Sequence, residues 1–242
     1  MAAFDVDGTL TRRDTLLPFL SYVCGRRALA ACLLGRSARL GVSMALDRDR
    51  ARGRVKESVL RDLLAGRRDD DVREAGERFA GRLVDGPWLR PDTSERWRWH
   101  RELGHEVVIV SASLEAYLIP FAALIGGAEV LATRLSVGDD GRLTGGLEGI
   151  NCRGPEKLAR LCAWSRGDVF AGVPGEGPKE EPEEKAGPGS PARFHRPLGD
   201  GIELWAYGDS SGDRELLAAA QMAHRIRRRR RLPSRPARER SP

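Results

Sequence analysis

Three short apolar runs, each followed by polar residues and then by a helical pattern, constrain the fold of this chain most strongly. The runs lead to Asp5 and Asp7, to Ser111, and to Asp209 and Asp213. A short apolar run of this kind is typical of a strand buried on both faces. Its alternation with helices predicts an α/β fold with a doubly wound, mostly parallel sheet. Because active sites of such sheets lie at the carboxyl ends of the strands, we expect these polar residues to meet there.

The first run, Ala2–Val6, ends in a pair of carboxylates. Side chains two residues apart on a strand project to the same side, so Asp5 and Asp7 can share one site. Like charges this close repel each other unless a cation or a shared proton lies between them. An Asp-Gly pair is also common in hairpin turns, although no alternating partner strand follows Leu10. This segment alone leaves both interpretations open.

The second run, Glu106–Val110, predicts a buried strand that ends at Ser111 and Ser113, with a helix over Leu114–Ile125 beyond. A hydroxyl-rich turn before a helix is a natural anion site, because free N–H groups at the helix start can face a phosphate. Either serine can instead be the N-cap of the helix, and both interpretations can hold together.

The second half of the chain predicts a hairpin, two helices and one more strand. Glu129–Val137 alternates and pairs plausibly with Leu143–Leu147. Pro155 is a favourable first helical residue. Lys157 in that first turn opposes the helix dipole, so it is either a solvated surface residue or held there by an anion. A strand over 202–207 and a helix over 214–223 follow.

The domain organisation follows from composition. An all-helical insert, residues 15–88, lies directly after the first strand, with Gly25, Gly35 and Gly41 as expected helix breaks. The α/β core then comprises 1–14 and 89–223. Within it, residues 167–201 are expected to be a disordered insertion, because 174–191 contain five Pro, four Gly and five Glu and offer almost nothing to bury.

The basic character of the chain belongs to its last residues. Residues 225–242 carry nine Arg and one Glu, which leaves 32 basic and 34 acidic residues in 1–224. We therefore expect a disordered basic tail over 224–242, able to bind anions by charge alone, and no sequence-specific nucleic-acid binding. Four cysteines without a metal-binding spacing, no room for a signal peptide before Asp5 and no apolar run of spanning length favour a cytoplasmic protein.

The polar strand ends together predict a metal and phosphate site. Four carboxylates, one or two hydroxyls and Lys157 around one crevice suit a divalent cation beside a phosphoryl group, and oxygen-only ligands favour Mg²⁺.

This arrangement resembles the haloacid dehalogenase (HAD) superfamily, and within it the phosphoserine-phosphatase-like branch, subfamily IB. The four superfamily motifs occur in order: DVDGT at residues 5–9, the hydroxyl at Ser111, the lysine at Lys157, and GDSSGD at residues 208–213. The resemblance covers about 1–166 and 202–223. It implies a Rossmann-like core with the helical insert as an α-helical cap, and a Mg²⁺-dependent phosphatase acting on a small phosphorylated metabolite.

The resemblance also implies a role for each motif residue. Asp5 is the expected nucleophile, which forms an aspartyl phosphate, and Asp7 is the expected general acid and base. The phosphate ligands are expected to be Thr9, Ser111 and Lys157. The cation is expected to be held by Asp5, the Asp7 main-chain carbonyl and Asp209, with Asp213 supporting it through water. A phosphomutase or phosphotransferase is the nearest alternative. A non-catalytic module that binds anionic partners through the tail is the alternative from another class.

The substrate is less constrained, because the chain departs from phosphoserine phosphatases. Gly8 replaces the serine after the second aspartate, and Ala112 and Ser113 replace two glycines after the motif serine. Asp14 replaces the glutamate that binds the substrate amine, so it is either an amine ligand or the cap of the next helix. Lys56, or Arg54 beside it, either meets a substrate carboxylate or is solvated at the surface.

Overall fold

A six-stranded sheet forms the centre of the molecule. The computed structural model describes residues 1–43, 48–167, 198, 202–227 and 232, and for 36–43 and 48–52 it describes the backbone alone. The strands are β1 (Ala2–Phe4), β2 (Val107–Leu114), β3 (Glu129–Val137), β4 (Leu143–Glu148), β5 (Trp205–Gly208) and β6 (Met222–Arg225). Their order is β4-β3-β2-β1-β5-β6, and every neighbouring pair is parallel except β3 and β4. The predicted mostly parallel α/β fold is confirmed.

Eight helices accompany the sheet in the described part of the chain. They are α1 (Leu16–Cys24), α2 (Arg26–Ser43), α3 (Arg48–Leu64), α4 (Asp69–Asp85), α5 (Pro91–Glu102), α6 (Glu115–Leu124), α7 (Pro155–Ser165) and α8 (Arg214–Ala219). Side chains alternate across β1, so that Ala2 and Phe4 join one apolar cluster and Ala3 joins another. Helices α5 and α6 contribute to the first cluster, and α7 and α8 contribute to the second. Both faces of the sheet are therefore covered.

The serine segment lies within β2 and not in a turn after it. The strand continues to Leu114, and its register with β3 shifts between Val110 and Leu114. Leu114 has an extended backbone and precedes α6 without any side-chain cap, so the interpretation of Ser111 or Ser113 as the helix cap is wrong. An irregular register of this kind changes the direction of the side chains locally, and the affected segment contains both serines.

The carboxyl-terminal edge of the sheet differs from the expectation. Helix α8 ends at Ala219 instead of Ala223, and Met222–Arg225 pair with β5 as a sixth strand. Residues 224–226 are thus not a disordered tail, and Ile226 is buried. The basic composition misled the prediction, because an edge strand needs main-chain pairing and leaves most side chains in solvent. The rest of the predicted tail lies outside the described residues, apart from Arg227 and Leu232.

The helical insert leaves and rejoins the core along one pair of segments. Thr11 and Leu89 form an antiparallel bridge, and the helices α1–α4 lie between them. Gly25, with φ of +84°, separates α1 from α2 as predicted, whereas α2 runs through Gly35 and Gly41. The close contact with the core is at Gly76 of α4, where a Cβ would lie 1.9 Å from the Ala116 main-chain oxygen of α6.

Two further expectations concern apolar and acidic segments. Among the described residues no single helix is long and apolar enough to cross a membrane; α1 together with Arg26–Gly35 meets the length and composition, but the two are bent by 118°. The predicted acidic insertion 167–201 lies outside the described residues, except for Gly167 and Leu198. Leu198 is buried in the cluster beneath α7 and α8, so this position belongs to the core.

Candidate active site

Asp5 stands immediately beyond the end of β1, at the centre of the sheet. Its main-chain N–H donates to the Tyr207 carbonyl of β5 over 2.9 Å, which continues the strand pairing. The side chain is almost fully buried. Lys157 Nζ donates to Asp5 Oδ1 over 2.6 Å, and Thr9 Oγ1 donates to Oδ2 over 3.2 Å. The carboxylate is thus held from both sides by groups that the sequence placed in the same site.

Gly8 brings the fourth motif against the first. It has φ of +80°, a conformation that favours glycine, within the tight turn Val6–Leu10 that follows β1. A Cβ at this position would lie 2.1 Å from Asp209 Oδ2. Asp209 follows β5, which pairs with β1, so the parallel register and the absent side chain together place Asp209 beside the turn of Asp5.

Lys157 contacts both the first motif and the last, through Asp5 and Asp213. Its Nζ also donates to Asp213 Oδ1 over 2.5 Å, while Asp213 Oδ2 accepts the N–H and hydroxyl of Ser210, each over 2.9 Å. Lysine and both carboxylates are buried, so the interpretation of Lys157 as a solvated surface residue is wrong.

The pKa values of Lys157, Asp213 and Asp5 shift in different directions. Burial would lower the pKa of Lys157, but Asp5 and Asp213 outweigh it and raise that pKa. Burial would raise the pKa of Asp213, but Lys157 and Ser210 outweigh it and lower that pKa. Burial raises the pKa of Asp5 to about 8 against the attraction of Lys157, and Asp213 and Asp7 raise it further. Together with Lys157, the Ser210 donors favour the ionised form of Asp213, and a cation beside Asp5 would lower the pKa of that carboxyl.

Asp5, Asp209 and Asp213 form a candidate cation site. One carboxylate oxygen from each lies within 4.8 Å of the other two. Three carboxylates with a single lysine between two of them leave negative charge uncompensated, and oxygen donors are what Mg²⁺ prefers. The residues present therefore fit the cation that the motifs imply.

Asp7 points to the other side of the same turn. Its Oδ1 accepts the N–H and the hydroxyl of Thr15 over 2.8 and 2.6 Å, and its Oδ2 accepts the hydroxyl of Ser113 over 2.5 Å. Tyr117 OH lies 2.8 Å from Thr15 Oγ1 and extends this network into the core. Burial raises the pKa of Asp7, the charge of Asp14 adds to the shift, and the Ser113 and Thr15 donors oppose it. A raised pKa favours a carboxyl that can give and take a proton.

A cavity of about 530 Å³ opens over these groups. Its wall includes most of the predicted site residues: Asp5, Asp7, Asp14, Lys56, Ser111, Ala112, Ser113, Lys157 and Asp209. Thr9 and Asp213 are not among the described residues that line the cavity. Asp213 contacts Lys157 from behind the wall, and fully buried Thr9 contacts Asp5. The role of Thr9 as a phosphate ligand stays a prediction.

The two candidate substrate residues occupy different situations. Asp14 Oδ1 accepts the N–H groups of Leu16 and Leu17, which confirms that it caps α1, and it also borders the cavity. Arg54 is exposed and does not line the cavity, so for this residue the interpretation as a solvated surface residue is kept, whereas for Lys56 it is wrong. Lys56 reaches from α3 into the cavity wall and donates to Asn151 Oδ1 over 2.5 Å.

Several residues of the site were not anticipated. Thr15 makes two hydrogen bonds to Asp7 that the sequence does not predict. Asn151 and Arg153 line the cavity from the loop before α7, and Arg153 Nη2 donates to Ser211 Oγ over 3.1 Å. The polar composition of that loop is a usable signal, whereas nothing in the sequence near Thr15 distinguishes it from an ordinary helix start.

Comparison with protein families identifies the class of α/β hydrolase to which this fold and site belong. The family model described as haloacid dehalogenase-like hydrolase matches residues 2–218. The chain therefore belongs to the haloacid dehalogenase-like hydrolases. It is 35% identical over 225 residues to Protein CicA of Caulobacter vibrioides, a match that covers 91% of this chain and 82% of that protein.

Solved structures share the fold at low sequence identity. A protein of unknown function from Bordetella pertussis Tohama I has a TM-score of 0.64 at 24% identity, covering 90% of this chain and 86% of that one. A phosphoserine phosphohydrolase-like protein from Francisella tularensis has a TM-score of 0.53 at 16% identity, covering 91% and 83%. The predicted phosphoserine-phosphatase-like fold is thus confirmed.

Proposed function

We propose that this protein is a Mg²⁺-dependent phosphatase that hydrolyses the monoester of a small phosphorylated metabolite through an aspartyl phosphate. The convergence of three separate segments, which carry Asp5, Lys157 and the pair Asp209 and Asp213, supports the proposal most directly. Lys157 lies 2.6 Å from the Asp5 carboxylate, and oxygens of Asp209 and Asp213 lie within 4.8 Å of it. A carboxylate nucleophile beside a fixed positive charge and a cation site suits attack on phosphorus, where positioning and electrostatic stabilisation supply most of the rate.

The chemistry divides into two displacements. In the first, an Asp5 oxygen forms a bond to phosphorus while the bond from phosphorus to the substrate oxygen breaks, and Asp7 gives its proton to that departing oxygen. In the second, Asp7 takes a proton from water as the water oxygen bonds to phosphorus and the bond to Asp5 breaks. Lys157 and Ser111 line the cavity with Asp5, which supports a role for both in holding phosphoryl oxygens as charge develops on them.

Asp5, Asp209 and the Asp7 main-chain carbonyl are the proposed cation ligands. Asp213, which contacts Lys157, is proposed to support the cation through water. Bound Mg²⁺ would offset the repulsion between the Asp5 carboxylate and the dianionic substrate. The four cysteines, all free thiols, support the predicted cytoplasmic location.

Phosphate release tests the proposal directly. Wild type, Asp5→Asn and Asp139→Asn are compared on p-nitrophenyl phosphate with and without Mg²⁺; Asp139 is exposed in the β3–β4 turn and serves as the charge-matched control. We expect Mg²⁺-dependent release by wild type and the control, and a loss of about 10³-fold or more in Asp5→Asn, because the covalent route is removed. Equal release by wild type and Asp5→Asn would refute the mechanism. A panel of phosphorylated metabolites, with sugar bisphosphates to detect phosphoryl return, then identifies the substrate.

Mg²⁺ binding has a readout that needs no activity. A ligand that binds only the folded state stabilises it by about 2.7 kcal/mol at 100 times its Kd. We expect Mg²⁺ to raise the Tm of the wild type and of Asp139→Asn, and to leave that of Asp209→Asn unchanged. A shift of the same size in Asp209→Asn would place the cation elsewhere.

A further inference from the structure

Lys56 connects the helical insert to the core at the mouth of the cavity. Its ammonium donates to the Ala112 main-chain oxygen, to Asn151 Oδ1 over 2.5 Å and to Thr133 Oγ1 at 3.3 Å. These acceptors lie on β2, on the loop before α7 and on β3, so one side chain of α3 spans three separate parts of the core.

The hydrogen-bonding capacity of Lys56 is used within the protein. An ammonium has three N–H donors, and three acceptors surround this one. The acceptors also hold one another, because Thr133 Oγ1 donates to the Ala112 oxygen over 2.9 Å and lies 2.9 Å from Asn151 Oδ1. A substrate carboxylate could bind Lys56 only by displacing one of these part-buried bonds and leaving its acceptor without the ammonium.

Burial and charge agree with this arrangement. Removal from water lowers the pKa of Lys56 to about 8, against the attraction of Cys152, Asp7, Glu57 and Asp14. Neutral oxygens, rather than a paired carboxylate, are what the ammonium contacts. Its position is therefore set by the geometry of the three acceptors.

We propose that Lys56 is a latch that holds the helical insert closed over the cavity, and that it does not bind the substrate. The inference rests on the proposed function for its consequence in catalysis, and on the contacts of Lys56 alone for its structural part. Ala112 lies between Ser111 and Ser113, and Ser113 donates to Asp7. Closing the latch therefore also fixes the strand segment that orients Asp7, which makes Lys56 a positioning residue.

A pair of substrates separates the latch from a substrate ligand. O-phosphoserine carries a carboxylate and O-phosphoethanolamine does not, while both carry an amine. Lys56→Met keeps the length of the side chain and removes its donors, and Arg54→Met removes an exposed charge from the same helix as the control. Because Lys56→Met removes all three donors, we expect kcat/KM to fall about 10–100-fold on both substrates, with their ratio unchanged. A fall confined to phosphoserine, or an equal fall in Arg54→Met, overturns the proposal.

The latch can also be opened from its other side. Asn151→Leu removes one acceptor, and the double variant with Lys56→Met completes a cycle. If Lys56 and Asn151 act through one contact, kcat/KM of the double variant is little lower than that of the worse single variant. If they act independently, the two losses in kcat/KM multiply. Multiplied effects on kcat/KM overturn the proposal.

Hydrogen exchange decides the structural part whether or not the protein is a phosphatase. In Lys56→Met we expect faster exchange of the amides of α3 and of residues 149–154, and in Arg54→Met the wild-type rates. Unchanged exchange in Lys56→Met would show that the insert stays closed without the latch. An inactive wild type that still shows the difference would refute the proposed function and leave the latch standing.

Discussion

At the scale of single residues, Gly8 has the strictest requirement in the site. Two independent constraints meet at this position, a φ of +80° and the carboxylate of Asp209 where a Cβ would be. The first constraint is common to many turns, but the second ties this glycine to the distant acidic motif. The two effects can be separated, because Gly127 has φ of +81° and open space around its Cα.

Gly8→Ala is therefore expected to displace Asp209, whereas Gly127→Ala carries the backbone cost alone. Forcing an ordinary residue into the left-handed conformation costs roughly 1–2 kcal/mol, so both variants should lose stability by about that amount. Only Gly8→Ala should also need about tenfold more Mg²⁺ for half-maximal stabilisation, which thermal unfolding across a Mg²⁺ series measures. An unchanged Mg²⁺ requirement in Gly8→Ala would separate Asp209 from the cation site.

The sequence could predict which residues meet but not all of their partners. Asp5, Lys157 and Asp213 converge because each follows or begins an element of a parallel sheet, a rule that needs only the order of strands and helices. The contact of Thr15 with Asp7 and that of Lys56 with Asn151 depend on how the helical insert rests on the core. That docking is set by packing between surfaces far apart in the chain, which a local pattern does not encode.

At the scale of elements, the contact between α4 and α6 determines how the helical insert sits on the core. The helices approach so closely at Gly76 that no side chain fits between α4 and the Ala116 main chain. Around it Phe19 of α1 and Phe79 of α4 pack on Tyr117 of α6, with ring centroids 4.7 and 5.5 Å apart from it. Tyr117 also contacts Thr15, so this packing reaches the network of Asp7.

Gly76→Ala and Gly81→Ala test this contact within one helix. A methyl group at position 76 must push α4 away from α6, and overpacking of this kind costs about 1–3 kcal/mol. Position 81 has open space, so Gly81→Ala should raise the free energy of unfolding by as much as ~1 kcal/mol through helix propensity. Denaturant unfolding gives both free energies. Similar changes in the two variants would show that α4 and α6 adjust without cost.

Element boundaries show where the sequence was insufficient. Helix α7 begins at Pro155 as predicted, because proline favours the first helical position itself. Strand β6 escaped prediction, since its pairing uses the main chain and its four residues include a partly buried histidine and an exposed arginine.

At the scale of the whole molecule, a buried cluster of rings lies on the sheet below the site. His100 of α5 is fully buried, with its Nε2 2.9 Å from Tyr207 OH and its Nδ1 2.7 Å from His105 Nδ1. His224 of β6 stacks on Tyr207 with ring centroids 4.7 Å apart. Burial, followed by the charges of His105, the amino terminus, Arg96 and His224, lowers the pKa of His100 to about 3.

This cluster predicts a loss of stability on mild acidification. His100 stays neutral in the folded protein down to about pH 3, while in the unfolded chain it binds a proton below about pH 6.5. The unfolded state therefore binds more protons below pH 6.5, and the free energy of unfolding falls as the pH falls through that window.

Unfolding free energies measured between pH 7 and 5 check the sign. In His100→Gln we expect lower stability at pH 7 and a slope shallower by about 1 kcal/mol per pH unit, since the unfolded histidine binds less than one proton on average between pH 7 and 5. Asp5 and Asp7 titrate in both proteins and cancel in the difference. Identical slopes would assign the acid sensitivity to other groups.

The central place of β1 in the sheet has a consequence for how the protein is made. Strand β1 is synthesised before both of its neighbours, because β2 and β5 begin at Val107 and Trp205. At about 5–20 residues per second, the last of them emerges ~10–40 s later. Until β5 has been synthesised, the segment bearing Asp5 has at most β2 beside it, so the full surroundings of this aspartate form only after the strands on both sides are available.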